Sequence, residues 1–404
     1  MIFLVAMLCV AGWARAEDFQ IGGEQQDETV VPLEIRPSLG LYVQAYVNGH
    51  GPYRFGIGMF GHTALTSAVV RDADLASEAK GLTMAGNSNR LAQNEQLVDG
   101  TLRLGDRSFS INGARIIPER NLSAYVPVQD YGGELGIELF RNKVVRIDLS
   151  HSQLVLSERS EMTPGPGAIE VELHQSAVGV DLDREPGLIV SLDGRRGMFR
   201  LEFGSEAVEF LENSTLGRDL FEKSVHPVSR VVWTPDGLVN GQSSTVDEIA
   251  IGGYLLGRGT ISRSTDPLPS RLSRRSLPFD GVIGLRVLGR FDITIDNLAG
   301  KAWLEQRDRK SYSCQAKPSG AHRGITGLVP WLYNGQGIVS ALVHGSPAEA
   351  AGIQPGDAIV SINDGTVLEY YQHLDATCLA PEPVKVEFHN ASGDHTVVLT
   401  PAVL

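Results

Sequence analysis

Apolar and polar residues alternate in short runs along most of the chain, the period of half-buried strands. Val31-Pro32-Leu33-Glu34 opens one such series and Val171-Glu172-Leu173 opens another. The first series reaches Asn48-Gly49 and the second reaches Asp193-Gly194, dipeptides that favour a two-residue hairpin turn. After the turns, Gly51-Pro52-Tyr53-Arg54-Phe55-Gly56-Ile57-Gly58 is echoed by Gly197-Met198-Phe199-Arg200-Leu201-Glu202-Phe203-Gly204. Downstream, Gly136-Ile137-Glu138-Leu139-Phe140 precedes Arg146-Ile147-Asp148-Leu149, and Gly284-Leu285-Arg286-Val287-Leu288 precedes Thr294-Ile295-Asp296-Asn297. A short turn and an apolar strand close each copy, at Leu154-Val155-Leu156 and at Ala302-Trp303-Leu304. Matches kept in one order over so long a period predict two duplicated β domains rather than a solenoid. Further short strands, such as Leu102–Asp106 and Val246–Gly253, fill each half, and Glu161–Gly167 reads as the linker.

A different pattern follows the polar stretch Arg307–Ser319. Gly337–Val343 is a strand, and Ser346-Pro347 then caps and starts a short helix that Gly352 ends. Pro355-Gly356-Asp357 turns the chain into a strand over Ala358–Ile362, and Val384–Phe388 with Thr396–Leu399 forms a hairpin around Asn390–Asp394.

Composition narrows the picture. The chain has 404 residues, 42% of them apolar, enough for several cores, and its 45 glycines and 20 prolines are scattered as in a turn-rich β protein. A net charge of −13 without a basic stripe disfavours nucleic acid. The interior lacks an apolar run long enough to span a membrane. Met1–Trp13 is apolar and Ala14-Arg15-Ala16 has the small-x-small form of a cleavage site, so residues 1–16 are expected to be a secretory signal and the protein periplasmic or secreted. In an oxidising compartment, Cys314 and Cys378 could pair; two separate thiols are the alternative.

The run Gly345–Asn363 follows the "GSPA…AGI.PGD.I.SIN" signature almost throughout and resembles a bacterial PDZ domain, here residues 320–402. That resemblance implies binding of extended peptides or protein C-termini by strand addition, with the carboxylate loop at Arg323-Gly324-Ile325-Thr326-Gly327. The repeated part resembles the retropepsin-like aspartic-protease family in its bilobal form, through Asn48–Phe55 and Asp280-Gly281-Val282-Ile283-Gly284-Leu285. The implied architecture is mainly β: a two-lobed, pepsin-like barrel body with lobes at 29–157 and 168–306, then the PDZ domain.

In that family each lobe supplies one Asp-Thr-Gly turn, and two carboxylates about 3 Å apart share a proton to activate water. Here the triplets align with Gly58-Met59-Phe60 and Gly204-Ser205-Glu206, so both acids are replaced. Glu202 and Glu206 flank the second position and are expected to be surface residues; His62 and Thr63 lie near the first. Asp148 and Asp296 are expected to bond local backbone. No cofactor fingerprint or metal-spaced His/Cys cluster stands out, and neither cofactor nor metal is expected. The expected function is a non-catalytic protease-like protein that binds or scaffolds peptides; the alternative is an active aspartic-type endopeptidase with an atypical site, its PDZ domain assisting substrate capture.

Overall fold

The structure is a computed structural model that describes residues 28–36, 40–58, 63–84, 91–117, 130–158, 164–165, 167–173, 187–203, 208–210, 214–223, 228–234, 237–265, 279–307, 326–333, 336–370 and 383–402. It is mainly β. In the first half, β1 (Glu28–Arg36), β2 (Gly40–Val47), β3 (His50–Ile57) and β4 (Ala64–Thr66) are followed by helix α1 (Ser67–Asp72). Next come β5 to β9 (Ser77–Met84, Leu91–Leu97, Thr101–Leu104, Arg107–Ser110, Arg115–Ile117), then β10 (Tyr131–Leu135), β11 (Val144–Asp148) and β12 (Gln153–Ser157). The second half runs β13 (Ile169–Glu172), β14 (Gly187–Leu192), β15 (Arg195–Leu201), β16 (Val208–Phe210), α2 (Thr215–Lys223), β17 (Val228–Thr234), β18 (Gly237–Ile251) and β19 (Tyr254–Ser264). It ends with β20 (Gly281–Ile283), α3 (Leu285–Leu288), β21 (Phe291–Asp296) and β22 (Lys301–Gln306).

The halves pair their strands in the same order. Hairpin β2–β3 corresponds to β14–β15, and both turns carry their asparagine or aspartate and glycine at positive φ: Asn48 46°, Gly49 84°, Asp193 48°, Gly194 77°. These are the left-handed values a two-residue hairpin turn requires. β3 then runs parallel to β10, as β15 does to β20, and an antiparallel strand, β4 or β16, closes the far side. At that crossing two glycines are obligatory. A Cβ on Gly133 would lie 1.9 Å from the Ala64 carbonyl oxygen, and one on Gly281 would lie 2.1 Å from that of Glu209.

A sheet of order β13-β22-β21-β11-β12-β1 joins the halves. Its central pair is antiparallel with Arg146 opposite Thr294, Val144 opposite Asp296 and Ile147 opposite Ile293. One hydrophobic cluster runs through both halves, from Phe55 and Leu135 through Ile147 and Ile295 to Phe199 and Ile283. The expected structural aspartates serve turns here: Asp148 accepts from the His151 N–H, and Asp296 from the Leu298 and Ala299 N–H groups. Arg307 is buried and crosses the seam, donating to the carbonyls of Gly289 at 2.9 Å and Leu149 at 2.8 Å.

The C-terminal part comprises β23 (Leu328–Tyr333), β24 (Gln336–Val343), α4 (Pro347–Ala350), β25 (Ala358–Ile362), β26 (Val384–Asn390) and β27 (Gly393–Leu399) around its own core of Val339, Ile353, Val386 and Phe388. Ser346 caps α4 by accepting from the Glu349 N–H, and Gly352 follows at φ 80°, as its sequence predicts. The sequence did not foretell that β17 of the second half pairs with β24, Arg230 to Val232 against Val343 to Ala341. Two cores are thus joined through one continuous sheet.

Arg307→Ala leaves two buried carbonyls without their donor and is expected to cost about 3 kcal/mol. Urea denaturation followed by tryptophan fluorescence measures this; a loss below about 0.5 kcal/mol would show that the seam does not depend on Arg307.

Candidate functional site

The repeated crossing defines one matched backbone position in each half. In the first half, the Gly58 N–H donates to the Leu135 carbonyl at 3.0 Å; in the second, the Glu202 N–H donates to that of Ile283 at 3.0 Å. Leu135 pairs with Ile57 and Ile283 with Leu201, so Gly58 and Glu202 each follow directly on an equivalent strand end. This corrects the match of Gly58 with Gly204. A bulge accounts for one of the two residues between Gly204 and Glu202: Ala45 faces Tyr53 while Val47 faces His50, so β3 takes up one residue more than β15 between turn and crossing. The other arises because Gly51 lies two residues after its turn glycine and Gly197 three. The second position therefore carries a carboxylate, on a half-exposed glutamate, and the first carries none.

The outer face of the first-half sheet holds a second carboxylate. Phe55, Ile57, Leu65 and Leu135 point into the core, so their neighbours Gly56, Ala64 and Glu134 face outward. Strand pairing aligns Glu34, Tyr42, Gly56, Glu134 and Ala64 in one row across five strands. Glu134 is exposed, and partial desolvation by the protein around it pushes its carboxyl above the usual range. Tyr131 donates a hydrogen bond to it, which acts in the opposite direction. The Tyr131 phenol is itself held well above its usual value, first by burial and then by the charge of Glu134. Tyr42 is buried beneath Tyr131 and Trp331, the latter from β23 of the C-terminal part.

Of the loop expected to hold a peptide carboxylate, Thr326 and Gly327 are described, and both are buried. The Thr326 carbonyl accepts from the Ala348 N–H and the Gly327 carbonyl from the Val343 N–H, each at 3.0 Å. Gly327 has φ 76°, and a Cβ there would lie 2.1 Å from that of Ser346. These bonds anchor the end of the loop to α4 and β24, directly before β23. β23 pairs along one edge with β24; among the described residues its other edge has no strand partner.

The remaining positions singled out in the sequence, Gly204, Glu206, His62, Arg323, Gly324, Ile325, Cys314, Cys378 and the segment 1–16, lie outside the described residues. Among the described residues, no group of three or more His, Cys, Asp or Glu could hold a metal ion, and no helix is long and apolar enough to cross a membrane. Sequence reasoning missed Glu134. Its signal was the glutamate in Gly133-Glu134-Leu135-Gly136 where the other copy has valine, Gly281-Val282-Ile283-Gly284.

Residues 338–379 match the family model for a PDZ domain. The C-terminal part carries a PDZ domain. In it, β23, which pairs with β24 alone among the described strands, follows the anchored end of the loop. No curated protein matches the chain. Among solved structures, the chain is similar to the crystal structure of aspartic proteinase from Irpex lacteus, at 11% identity over 70% of this chain and 98% of that one, with a TM-score of 0.40.

Two outcomes are expected. A carboxyl raised in the folded state binds its proton more tightly there than in the unfolded chain, so ionising it opposes folding. Glu134→Gln should therefore raise the melting temperature at neutral pH, and the gain should vanish below the usual glutamate range, where both states are protonated. A gain independent of pH would contradict the assigned cause. Gly327→Ala combines positive φ with a close contact and should destabilise the PDZ domain by more than about 1 kcal/mol, read from hydrogen exchange at the amides of Val339 and Val386.

Proposed function

We propose that this chain is an exported, non-catalytic protein with a pepsin-like two-lobed body, arisen by internal duplication, that holds extended peptides together with its PDZ domain. The observation that carries this reading is the glycine at Gly58, opposite a carboxylate at Glu202 in the matched position of the other half. Water activation by an aspartic-protease pair needs two acids sharing one proton, one to take the proton from water and one to polarise the carbonyl. A lone glutamate in one half supplies a single member of that pair. The repeated strand order supports the body's assignment, and the apolar run before Ala16 supports export. The PDZ domain, whose β23 pairs with β24 alone among the described strands, supports capture of a peptide as an added strand. Because β17 and Trp331 tie the PDZ domain to both halves, a ligand that engages domain and body gains from a fixed spacing rather than a loose tether.

A second reading, an active endopeptidase with an atypical site, is favoured by Glu202 in the matched slot and by Glu134 opposite Gly56. One set of assays separates the two. Purified protein should not cleave denatured protein substrates from acid to neutral pH, and pepstatin should have no effect. Turnover that disappears in both Glu202→Gln and Glu134→Gln would overturn the non-catalytic reading. C-terminal peptides should bind the PDZ domain and weaken at least about tenfold when their carboxylate is amidated, since that charge is lost from the anchoring loop. Binding indifferent to amidation would point to internal strands instead.

A further inference from the structure

The outward row Tyr42–Gly56–Glu134–Ala64 sets an exposed carboxylate between two small residues, an arrangement that the matched row of the second half does not have. Gly56 forms its floor, with Tyr42 on one side and Glu134 on the other. Beyond Glu134 stands Ala64, whose side chain is a methyl group. A Cβ placed on Gly56 would lie 3.7 Å from Glu134 Cγ and 3.9 Å from Tyr131 Cε2, so the floor is open to a group of that size. The matched row of the second half is Arg200–Val282–Glu209, where larger side chains replace the glycine and the alanine.

We propose that this bay is a socket for the basic side chain, lysine or arginine, of a peptide held by the protein. The proposal deepens the peptide-holding reading and rests on it. The walls suit such a group. The carboxylate supplies the counter-charge, and the edge of the Tyr131 ring beside Gly56 offers apolar surface to the methylene stem. The phenol of Tyr131 holds the carboxylate in place and gives it a fixed orientation. Because β10 lies between β3 and β4 in the sheet, a ligand meets Glu134 from the face and not along an edge. Only a side chain projecting toward the sheet reaches it that way; an added strand does not. Trp331 covers Tyr42 on this same face, so the socket adjoins β23 of the PDZ domain. One peptide can thus lie along β23 and reach the socket with a residue of its own.

The test uses the full chain and matched C-terminal peptides with lysine, norleucine or glutamate at one scanned position, followed by fluorescence anisotropy. At the position that meets the socket, lysine should bind about tenfold more tightly than norleucine, and glutamate more weakly than either. Glu134→Gln should remove that preference. Gly56→Val should remove it too, by filling the floor while leaving the carboxylate in place; Gly56 lies outside the left-handed region and can accept a side chain. Equal binding of lysine and norleucine at every position overturns the proposal, as does a lysine preference that survives both substitutions. n-Butylamine serves as a probe that needs no peptide. Should no peptide bind, thermal stabilisation by n-butylamine that is lost in Glu134→Gln would retain a cation socket and defeat only the peptide reading. Absence of that stabilisation as well would overturn both.

Discussion

The antiparallel pairing of β11 with β21 is the contact on which the rest of the molecule depends. Among the described residues it is the one ladder that joins the strands of the first half to those of the second, and its register is symmetric about Arg146 and Thr294. That symmetry places β12 and β1 on one side as it places β22 and β13 on the other. Hydrogen bonds across the seam hold it further. Asp292 accepts from the Ser150 N–H and hydroxyl, Asn297 donates to the Phe140 carbonyl, and Arg146 forms a two-pronged pair with Glu305. Most of these groups are wholly or partly buried, so losing either partner would strand a polar group away from water, which is more costly than the net gain of forming the bond. A seam of this kind fixes the two crossings, and with them Gly58 and Glu202, relative to each other.

The same principle operates where the PDZ domain meets the body. A strand edge has unpaired N–H and C=O groups that favour any compatible strand nearby. β17 uses three residues of β24 for this, and the His344 N–H adds a bond to the Ser229 carbonyl. Trp331 then closes over Tyr42 on the first half. The PDZ domain touches both halves, and its strand β23 lies next to the outward row that contains Glu134. A tethered module would leave that geometry to chance. Strand pairing makes it part of the fold.

Much of the fold was legible in the chain because the relevant signals are local. Asn48-Gly49 and Asp193-Gly194 needed only their own φ preferences to mark hairpins, and Ser346-Pro347 with Gly352 marked a helix at both ends. The paired elements around Gly136 and Gly284 were visible because each recurs in order with its following aspartate, and those aspartates bind turn N–H groups as their positions suggested. The site was legible only in part. Counting between flanking glycines matches Gly58 with Gly204, whereas the hydrogen bonds at the two crossings match Gly58 with Glu202. Counting along the chain cannot detect a bulge, because the extra residue in β3 is defined by what it fails to pair with on β2.

By itself, the sequence determined the strand-rich class, the repeated order of elements, the PDZ signature and the glycine at position 58. All four depend on residue type, on spacing within a few positions, or on the repetition of such spacing. Tertiary structure alone decided that Glu202 answers Gly58, that β17 completes the PDZ sheet, and that Glu134 stands over Gly56 beside Tyr42. Each of these joins strands remote in sequence, and registers between such strands follow from hydrogen bonding and side-chain packing across space. Where the sequence shows a glycine at position 58, the register of the sheets brings two carboxylates, Glu202 and Glu134, into view.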